Sequence, residues 1–394
     1  MKKNVIIPMG PKESGITHSK MDRKVKSISV RKGIGSTLTA HSKGSMELPK
    51  IRKPVITQRE GHYPRVPLKN DIVRVCPVQF TASWEIDPKN PKPGIEMNLN
   101  RMLSLATNAA YGSLGAKLLV FPEFTLTGYN FSWTRDDWAR IAIEVPDGEE
   151  LLAVRKRAKE LGVYIAFASH TKHKDWPGHF FNSSMIVNDN GELIHWHWKA
   201  YGIHAGPSAF EWATTVHDVL DEFVKRYGWD AVWPVVKTPI GNIATMTCSE
   251  SFTPEHARMF ALKGVEILCL CIGGGGLEND HGKIMRNFQS ECITANCYGI
   301  FSNSHDGGSM IINPLGEILN QAMDRADTTH VKYNIPIASF RKVHKAPVVR
   351  TELIIPVYQQ YVGPHPPNLY SDYGVPYDGK EAAKLATEHA RWKR

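Results

Sequence analysis

At 394 residues, 42% hydrophobic and 22% charged, the chain has ordinary globular composition and is long enough for one large domain or two smaller ones. Its longest apolar runs, such as 267–272, are far too short to cross a bilayer, and no compact apolar core with a cleavage site marks a secretory leader. Six cysteines in a chain of this length do not make a disulfide framework, so a cytoplasmic protein with no membrane partner is expected.

The net charge of +9 belongs to one end. Residues 1–70 hold 16 Lys and Arg against 4 Asp and Glu, which leaves the remainder at −3. Rich in Lys, Arg, Ser, Gly and Pro, with little apolar periodicity, this stretch reads as a basic N-terminal arm. Nucleic-acid-binding tails carry denser charge runs with interleaved aromatics, so a nucleic-acid partner is not expected. An acidic protein surface and an organelle transit function are the alternatives for it.

A folded body begins near Asp71. Residues 72–78 read as a buried strand, and 96–110 carry Met97, Leu99, Met102, Leu103 and Ala106 at helical spacing. A short strand over 117–121 stops at Pro122. A helix over 149–161 closes on Gly162, and a strand follows over 163–169. Two strands, 181–187 and 193–198, flank the turn Asn188-Asp189-Asn190-Gly191, and a second hairpin is predicted around 238–242. After Cys248 come a helix over 254–263, a strand over 265–271, a helix from Gly282 to Tyr298, and strands near Ile300 and Met310. From Thr351 a Pro- and Tyr-rich stretch predicts an extended arm packed on a neighbour, with a helix-prone segment from Gly379. Strands that alternate with helices and are interrupted by hairpins predict an α/β layered domain with mixed sheets. The boundaries drawn are a 1–70 arm, a 71–357 domain and a 358–394 C-terminal extension.

Three strand ends carry the chemistry. Cys248 lies where a strand meets the start of a helix, a corner that exposes a side chain beside free backbone N–H groups. A thiol attacks a carbonyl or nitrile carbon as the thiolate, so it needs a base or a positive charge nearby. Glu123 follows the apolar run Leu118-Leu119-Val120-Phe121-Pro122. A carboxylate there, raised in pKa by partial burial, suits a general base. Lys199 follows Leu193 to Trp198, and a fixed ammonium at a strand end can stabilise a developing oxyanion and lower a neighbouring thiol's pKa. Taken singly, each has a bland reading as a packed cysteine, a strand-end carboxylate or an edge lysine. In this chain order they are the parts of a thiol-nucleophile site for acyl transfer.

Together the segments resemble the nitrilase superfamily of carbon–nitrogen hydrolases. The matching stretches are Val120-Phe121-Pro122-Glu123-Phe124 with Thr127-Gly128-Tyr129, then Trp198-Lys199, then Thr247-Cys248-Ser249-Glu250 with Pro254-Glu255-His256-Ala257-Arg258. The similarity runs from about Ile72 to Val357. It implies a four-layer αββα sandwich, a homodimer or higher homo-oligomer, and a Glu123–Lys199–Cys248 triad. It also implies a second glutamate that positions the lysine, here Glu211, and a mechanism that needs no metal or organic cofactor. Substrate contacts are expected from Tyr129, Trp198, Ser249 and Gly274. Nitrile-cleaving members commonly have Trp after the nucleophile, whereas this chain has Ser249. The Pro-Glu-x-Ala-Arg start of the next helix resembles the amidase and carbamoylase branches. The implied activity is hydrolysis of a small non-peptide amide through a thioester, with a nitrilase or N-carbamoyl-amine hydrolase as alternatives. A catalytically silent scaffold with a basic recruiting arm is the competing reading of another class.

Other motifs carry less. The Gly273–Gly276 run lacks a following Gly-Lys-Ser/Thr and reads as a strand-to-helix loop bordering the pocket. His170, His173 and His179 have no cysteine pair at ligand spacing, so no metal is expected. Cys269 and Cys271 alternate within an apolar strand and read as core. Trp133, Trp138, Trp196, Trp198 and Trp212 fall near the three motifs, as core or as an aromatic pocket wall. The stretch 205–233 reads as a lid or rim.

Overall fold

The computed structural model describes residues 61–130, 132–202, 211–274, 282–304 and 306–392. The arm up to residue 60, the first part of the 205–233 rim and the later glycines of the 273–276 run lie outside these.

The elements follow in chain order. β1 is Val73–Pro77, α1 Lys92–Ala110, β2 Leu118–Val120, α2 Arg135–Ile141, β3 Ile143–Glu144, α3 Glu149–Leu161, β4 Tyr164–Lys172, β5 Phe181–Val187 and β6 Leu193–Trp198. α4 is Leu220–Tyr227, β7 Val236–Thr238, β8 Gly241–Thr247, α5 Pro254–Leu262, β9 Ile267–Ile272, α6 Gly282–Ala295 and β10 Tyr298–Asn303. β11 is Met310–Ile312, β12 Ile318–Gln321, β13 Tyr333–Ile335, α7 Ile337–Val343, α8 Thr351–Gln360, α9 Leu369–Tyr373 and α10 Gly379–Glu388.

The strands form two mixed sheets. One runs β13-β1-β2-β4-β5-β6, with β3 added on β4, and the other runs β12-β11-β10-β9-β8-β7. Alternation within the strands builds the layers. Val73, Val75, Leu118, Val120 and Ala166 of the first sheet meet Ile243, Ile267, Cys269, Cys271 and Ile300 of the second in one buried cluster. The residues between them in sequence face outward. Cys76, Leu119, Ile165 and Phe167 pack with Met102, Ala106, Leu151 and Val154 of α1 and α3. Ala244, Met246, Leu268 and Leu270 pack with Ala257, Phe260, Phe288 and Cys292 of α5 and α6. Period-2 strands with apolar residues on both faces give the helix–sheet–sheet–helix sandwich, because each sheet must bury both sides. Cys269 and Cys271 share the inter-sheet face, and all six cysteines are free thiols.

Most boundaries agree with the sequence reading to within a few residues. α1 starts four residues early, at Lys92, because Pro91 and Pro93 occupy its entry, where a missing N–H costs nothing. The stretch from Thr351 differs in kind: it forms α8, not an extended arm. Leu353, Ile354 and Val357 give it helical spacing, and Pro356 inside forfeits only one backbone hydrogen bond. All ten of its residues are exposed, while α9 and α10 fold back onto the body through Leu369, Tyr370, Ala382 and Ala386. α8 also straddles the 357/358 boundary drawn from sequence. No described helix is long and apolar enough to cross a membrane.

Candidate active site

Three strand ends converge on one buried point. β8 stops at Thr247, and the chain turns through one stretch of 3₁₀ helix, Cys248–Phe252, before Pro254 opens α5. Cys248 sits at φ 48, in the left-handed region, which swings its side chain out of line with the strand. Glu123 lies three residues past β2, beside Phe124, whose φ is 58. That turn is held by Thr125 N–H to Ala168 O at 3.0 Å and by Thr125 Oγ1 to Pro122 O at 2.7 Å. Lys199 follows β6 directly, its N–H donating to Asn182 O on β5 at 2.9 Å.

The side chains form a closed network. Lys199 Nζ is 3.3 Å from Glu123 Oε1 and 2.5 Å from Glu211 Oε2. Asn182 Nδ2 donates to Glu123 Oε1 at 2.6 Å and also to Glu211 Oε1. Gly273 N–H donates to Glu123 Oε2 at 2.9 Å. The Cys248 thiol lies within the electrostatic reach of Glu123, Lys199 and Glu211. Glu123 and Lys199 are buried at 2% and 1% exposure, so this charge lies outside the reach of bulk water.

One ammonium thus answers two carboxylates and a thiol. Burial raises the Glu123 carboxyl above its ordinary range, and Lys199, Asn182 and the thiol offset part of that rise. The Cys248 thiol is held well above the usual value, first by burial and then by the charge on Glu123, with Lys199 opposing. Burial works against the charge on Lys199, yet Glu211, Glu123 and Cys248 together hold it well above the lysine range. In the resting site the lysine is therefore charged and the thiol keeps its proton.

The remaining sequence candidates divide. Glu211 joins the network despite its distance in sequence from Lys199. Tyr129 is 6% exposed and stacks on Phe124 at 4.9 Å, and its hydroxyl is held protonated by burial and by the charge of Glu211. Ser249 follows Cys248 in the 3₁₀ turn, and its buried Oγ has no hydrogen-bond partner among the described residues. Gly274 is half-buried near Asp306, but the glycine that touches the network is Gly273, where a Cβ would lie 2.7 Å from the Phe124 ring. Trp198 is a correction. On β6 the side chains of His195, His197 and Lys199 face the second sheet, so Trp198 faces away and stacks on Phe181 at 3.8 Å, within a cluster that includes Trp176 and Phe223. Trp196 shares that outer face.

Trp138 and Trp212, among the tryptophans named from sequence, lie instead in a buried aromatic cluster next to Glu123. Phe124, Tyr129, Trp138, Phe180 and Trp212 pack with His170, whose ring is 3.9 Å from that of Trp138. Burial keeps His170 neutral. Among the described residues no group of three or more His, Cys, Asp or Glu side chains is disposed to hold a metal.

Sequence reasoning missed Asn182, Gly273 and the structural reach of Glu250. Asn182 had a signal: it is polar at an inward-facing position of a buried strand, where an unpaired amide is costly. Glu250 accepts from His197 Nε2 at 3.0 Å with both oxygens, from Ala200 N–H at 2.8 Å and from Thr247 N–H at 2.8 Å.

Comparison with known proteins identifies the family and the fold. Residues 81–345 match the family profile of the carbon–nitrogen hydrolases. A probable nitrilase of Schizosaccharomyces pombe is 23% identical over 257 residues, covering 64% of this chain and 87% of that one. A formamidase of Helicobacter acinonychis is 26% identical over 193 residues, covering 48% of this chain but only 52% of its own length. Among solved structures, an amidase of the nitrilase superfamily from Nesterenkonia AN1 superposes with a TM-score of 0.53 at 16% identity, over 72% of this chain and 97% of that one. The chain belongs to the carbon–nitrogen hydrolase family, and its fold is the αββα sandwich of these amidases.

Proposed function

We propose that the protein hydrolyses the C–N bond of a small non-peptide amide through a thioester on Cys248. The observation that carries this reading is the convergence of Glu123 and Lys199, 3.3 Å apart, on the strand end of Cys248, whose ionisation both charges govern. Glu123 takes the thiol proton as sulfur attacks the amide carbon. Lys199 and a backbone N–H near Ser249 hold the oxyanion, and donors of this kind are each worth about 3–4 kcal/mol in the transition state. The C–N bond then breaks, and Glu123 delivers its proton to the departing ammonia or amine. Water attacks the thioester with Glu123 again as base, and the acid product leaves as the thiol is restored.

The resting electrostatics support this order. A thiol raised by its neighbours ionises only as the new S–C bond forms, so transfer to Glu123 accompanies attack. Glu211 and Asn182 act on the others: Glu211 fixes the ammonium, and the Asn182 amide spans both carboxylates. In one Nesterenkonia amidase structure the acetamide moiety of fluoroacetamide is covalently added at the active-site cysteine, so the cysteine of that neighbour is a nucleophile toward carbon, the property this reading requires of Cys248.

Relatives named nitrilase and formamidase both align with the chain, so substrate choice needs a direct test. Ammonia release from a panel of amides, nitriles and N-carbamoyl amines separates the readings. We expect turnover of amides, with a mass increase on Cys248 equal to the acyl group after a short pulse. Turnover by Cys248→Ala at the wild-type rate would remove the proposal. A homo-oligomer of a catalytic body that takes in Tyr63, bonded to Glu266, and α8, which crosses the 357/358 boundary, completes this reading.

A further inference from the structure

Glu250 lies two residues past Cys248, and no step above uses it. Its carboxylate is fully buried and receives hydrogen bonds from three segments. Oε1 accepts from Ala200 N–H and Oε2 from Thr247 N–H, each at 2.8 Å, while His197 Nε2 stands 3.0 Å from both oxygens. Ala200 is the residue after Lys199, and Thr247 is the residue before Cys248. A single rigid group therefore ties the lysine end of β6, in the first sheet, to the thiol end of β8, in the second.

We propose that Glu250, with His197, is a positioning residue that sets the separation of Lys199 and Cys248 across the two sheets. This rests on the reading of Cys248 as nucleophile. The two strand ends have no backbone ladder between them, because they belong to different sheets. Only an ionised carboxylate offers acceptors to three donors arriving from different directions. The groups that face it are His197 on β6, His256 on α5 with Nδ1 at 3.8 Å, and Glu291 on α6, whose carboxyl the charge of Glu250 helps to keep protonated. Holding the charged form against burial takes this many donors, and they keep Glu250 ionised in the folded protein. Because His197 Nε2 meets two oxygen acceptors, the ring carries its proton there. An amide at position 250 would turn an NH₂ toward either Ala200 N–H or Thr247 N–H and release one of the two strand ends. A shift of about 1 Å between reacting groups costs on the order of 10²-fold in rate.

The test compares full-length wild type, Glu250→Gln and Cys248→Ala. Near-UV circular dichroism gives the folded fraction, and steady-state kinetics use the amide that the wild type cleaves best. Alkylation of Cys248 by iodoacetamide, followed by intact mass across a pH series, reports the thiol without any substrate. We expect folded Glu250→Gln to lose on the order of 10²-fold in kcat with KM within about twofold. Its alkylation slows, and the midpoint of the alkylation pH profile moves up as Lys199 recedes. A purely structural role would lower the folded fraction and leave both the midpoint and kcat per folded molecule unchanged; that result overturns the inference. If Glu250→Gln fails to fold, His197→Phe carries the same measurements, with about a tenfold loss expected and an unchanged midpoint overturning it. Full turnover by Cys248→Ala overturns the nucleophile reading and this one together. An inactive Cys248→Ala beside a native-like Glu250→Gln overturns the positioning role alone.

Discussion

Glu266 and Arg341 meet at the far end of β8 from Cys248, and they make a useful contrast with the Cys248 corner. There, one guanidinium faces one carboxylate. Arg341 Nε and Nη2 donate to the two oxygens of Glu266 at 2.7 and 2.6 Å, and Tyr63 Oη and Asn242 N–H fill the remaining acceptor positions at 2.8 and 2.7 Å. Charge is matched and every lone pair is used. At the corner, Lys199 faces Glu123 and Glu211 together with a thiol, and the network holds one more acid than base. Both centres are buried, so burial alone does not mark function. The mark is the surplus of acid, which leaves a proton to be moved.

The contrast breaks most sharply under mutation. Cys248→Ala is expected to lower turnover by at least ~10³-fold with only a small change in melting temperature, because it removes a single sulfur atom from the edge of the core between the second sheet and its helices. Retained turnover would falsify the surplus-acid account. Arg341→Ala should do the reverse. It leaves Glu266 buried and unpaired, which costs about 3–5 kcal/mol in denaturant titrations, with kcat per folded molecule unchanged.

Glu291 sharpens the comparison. It is buried, and neither of its carboxyl oxygens has a hydrogen-bond partner among the described residues. Burial, with Cys297 and Glu250 nearby, pushes its pKa up to about 10. A raised carboxyl favours folding most fully below the ordinary value near 4.5, and this contribution is lost as pH rises toward about 10. Glu291→Gln should therefore stabilise the protein at neutral pH by at most about 3 kcal/mol and flatten the alkaline fall of the melting temperature. An unchanged pH profile would count against the neutral assignment. Glu250 has the opposite sign. Its pKa is pulled down to about 2 by His197 and backbone donors, against the burial that opposes them, so its contribution is present above the ordinary value and is lost as pH falls toward about 2. The smallest effect is expected at Trp198, whose ring lies outside the site. Trp198→Phe should cost about 1–2 kcal/mol of stability in its aromatic cluster and change turnover by less than about twofold.

Much of this was legible in the sequence, for a physical reason. Strand periodicity is 2, so the apolar runs around Val75, Val120 and Ile267 announce strands covered on both faces, and stacked layers follow. Glu123, Lys199 and Cys248 stand out because a charge or thiol at the end of such a run must be used or compensated. Asn182 and Gly273 did not stand out, since a strand asparagine and a loop glycine acquire meaning only when the fold brings a carboxylate against them. Trp198 was misplaced because adjacency to Lys199 in sequence suggests adjacency in space, whereas in a strand it puts the side chains on opposite faces. α8 was hidden by Pro356, a residue that signals extension unless its neighbours carry helical spacing.

The β5–β6 hairpin has a consequence of its own. Its turn, Asn188 to Gly191, is braced by Asn188 N–H to Glu192 O at 2.9 Å and by Asn188 Oδ1, which accepts from Asn190 and Glu192 N–H at 3.0 and 2.8 Å. A one-residue slip of β6 along β5 would exchange the two sides of β6 and present an indole where the ammonium now stands. The braced turn, far from the thiol, is therefore part of what places the ammonium.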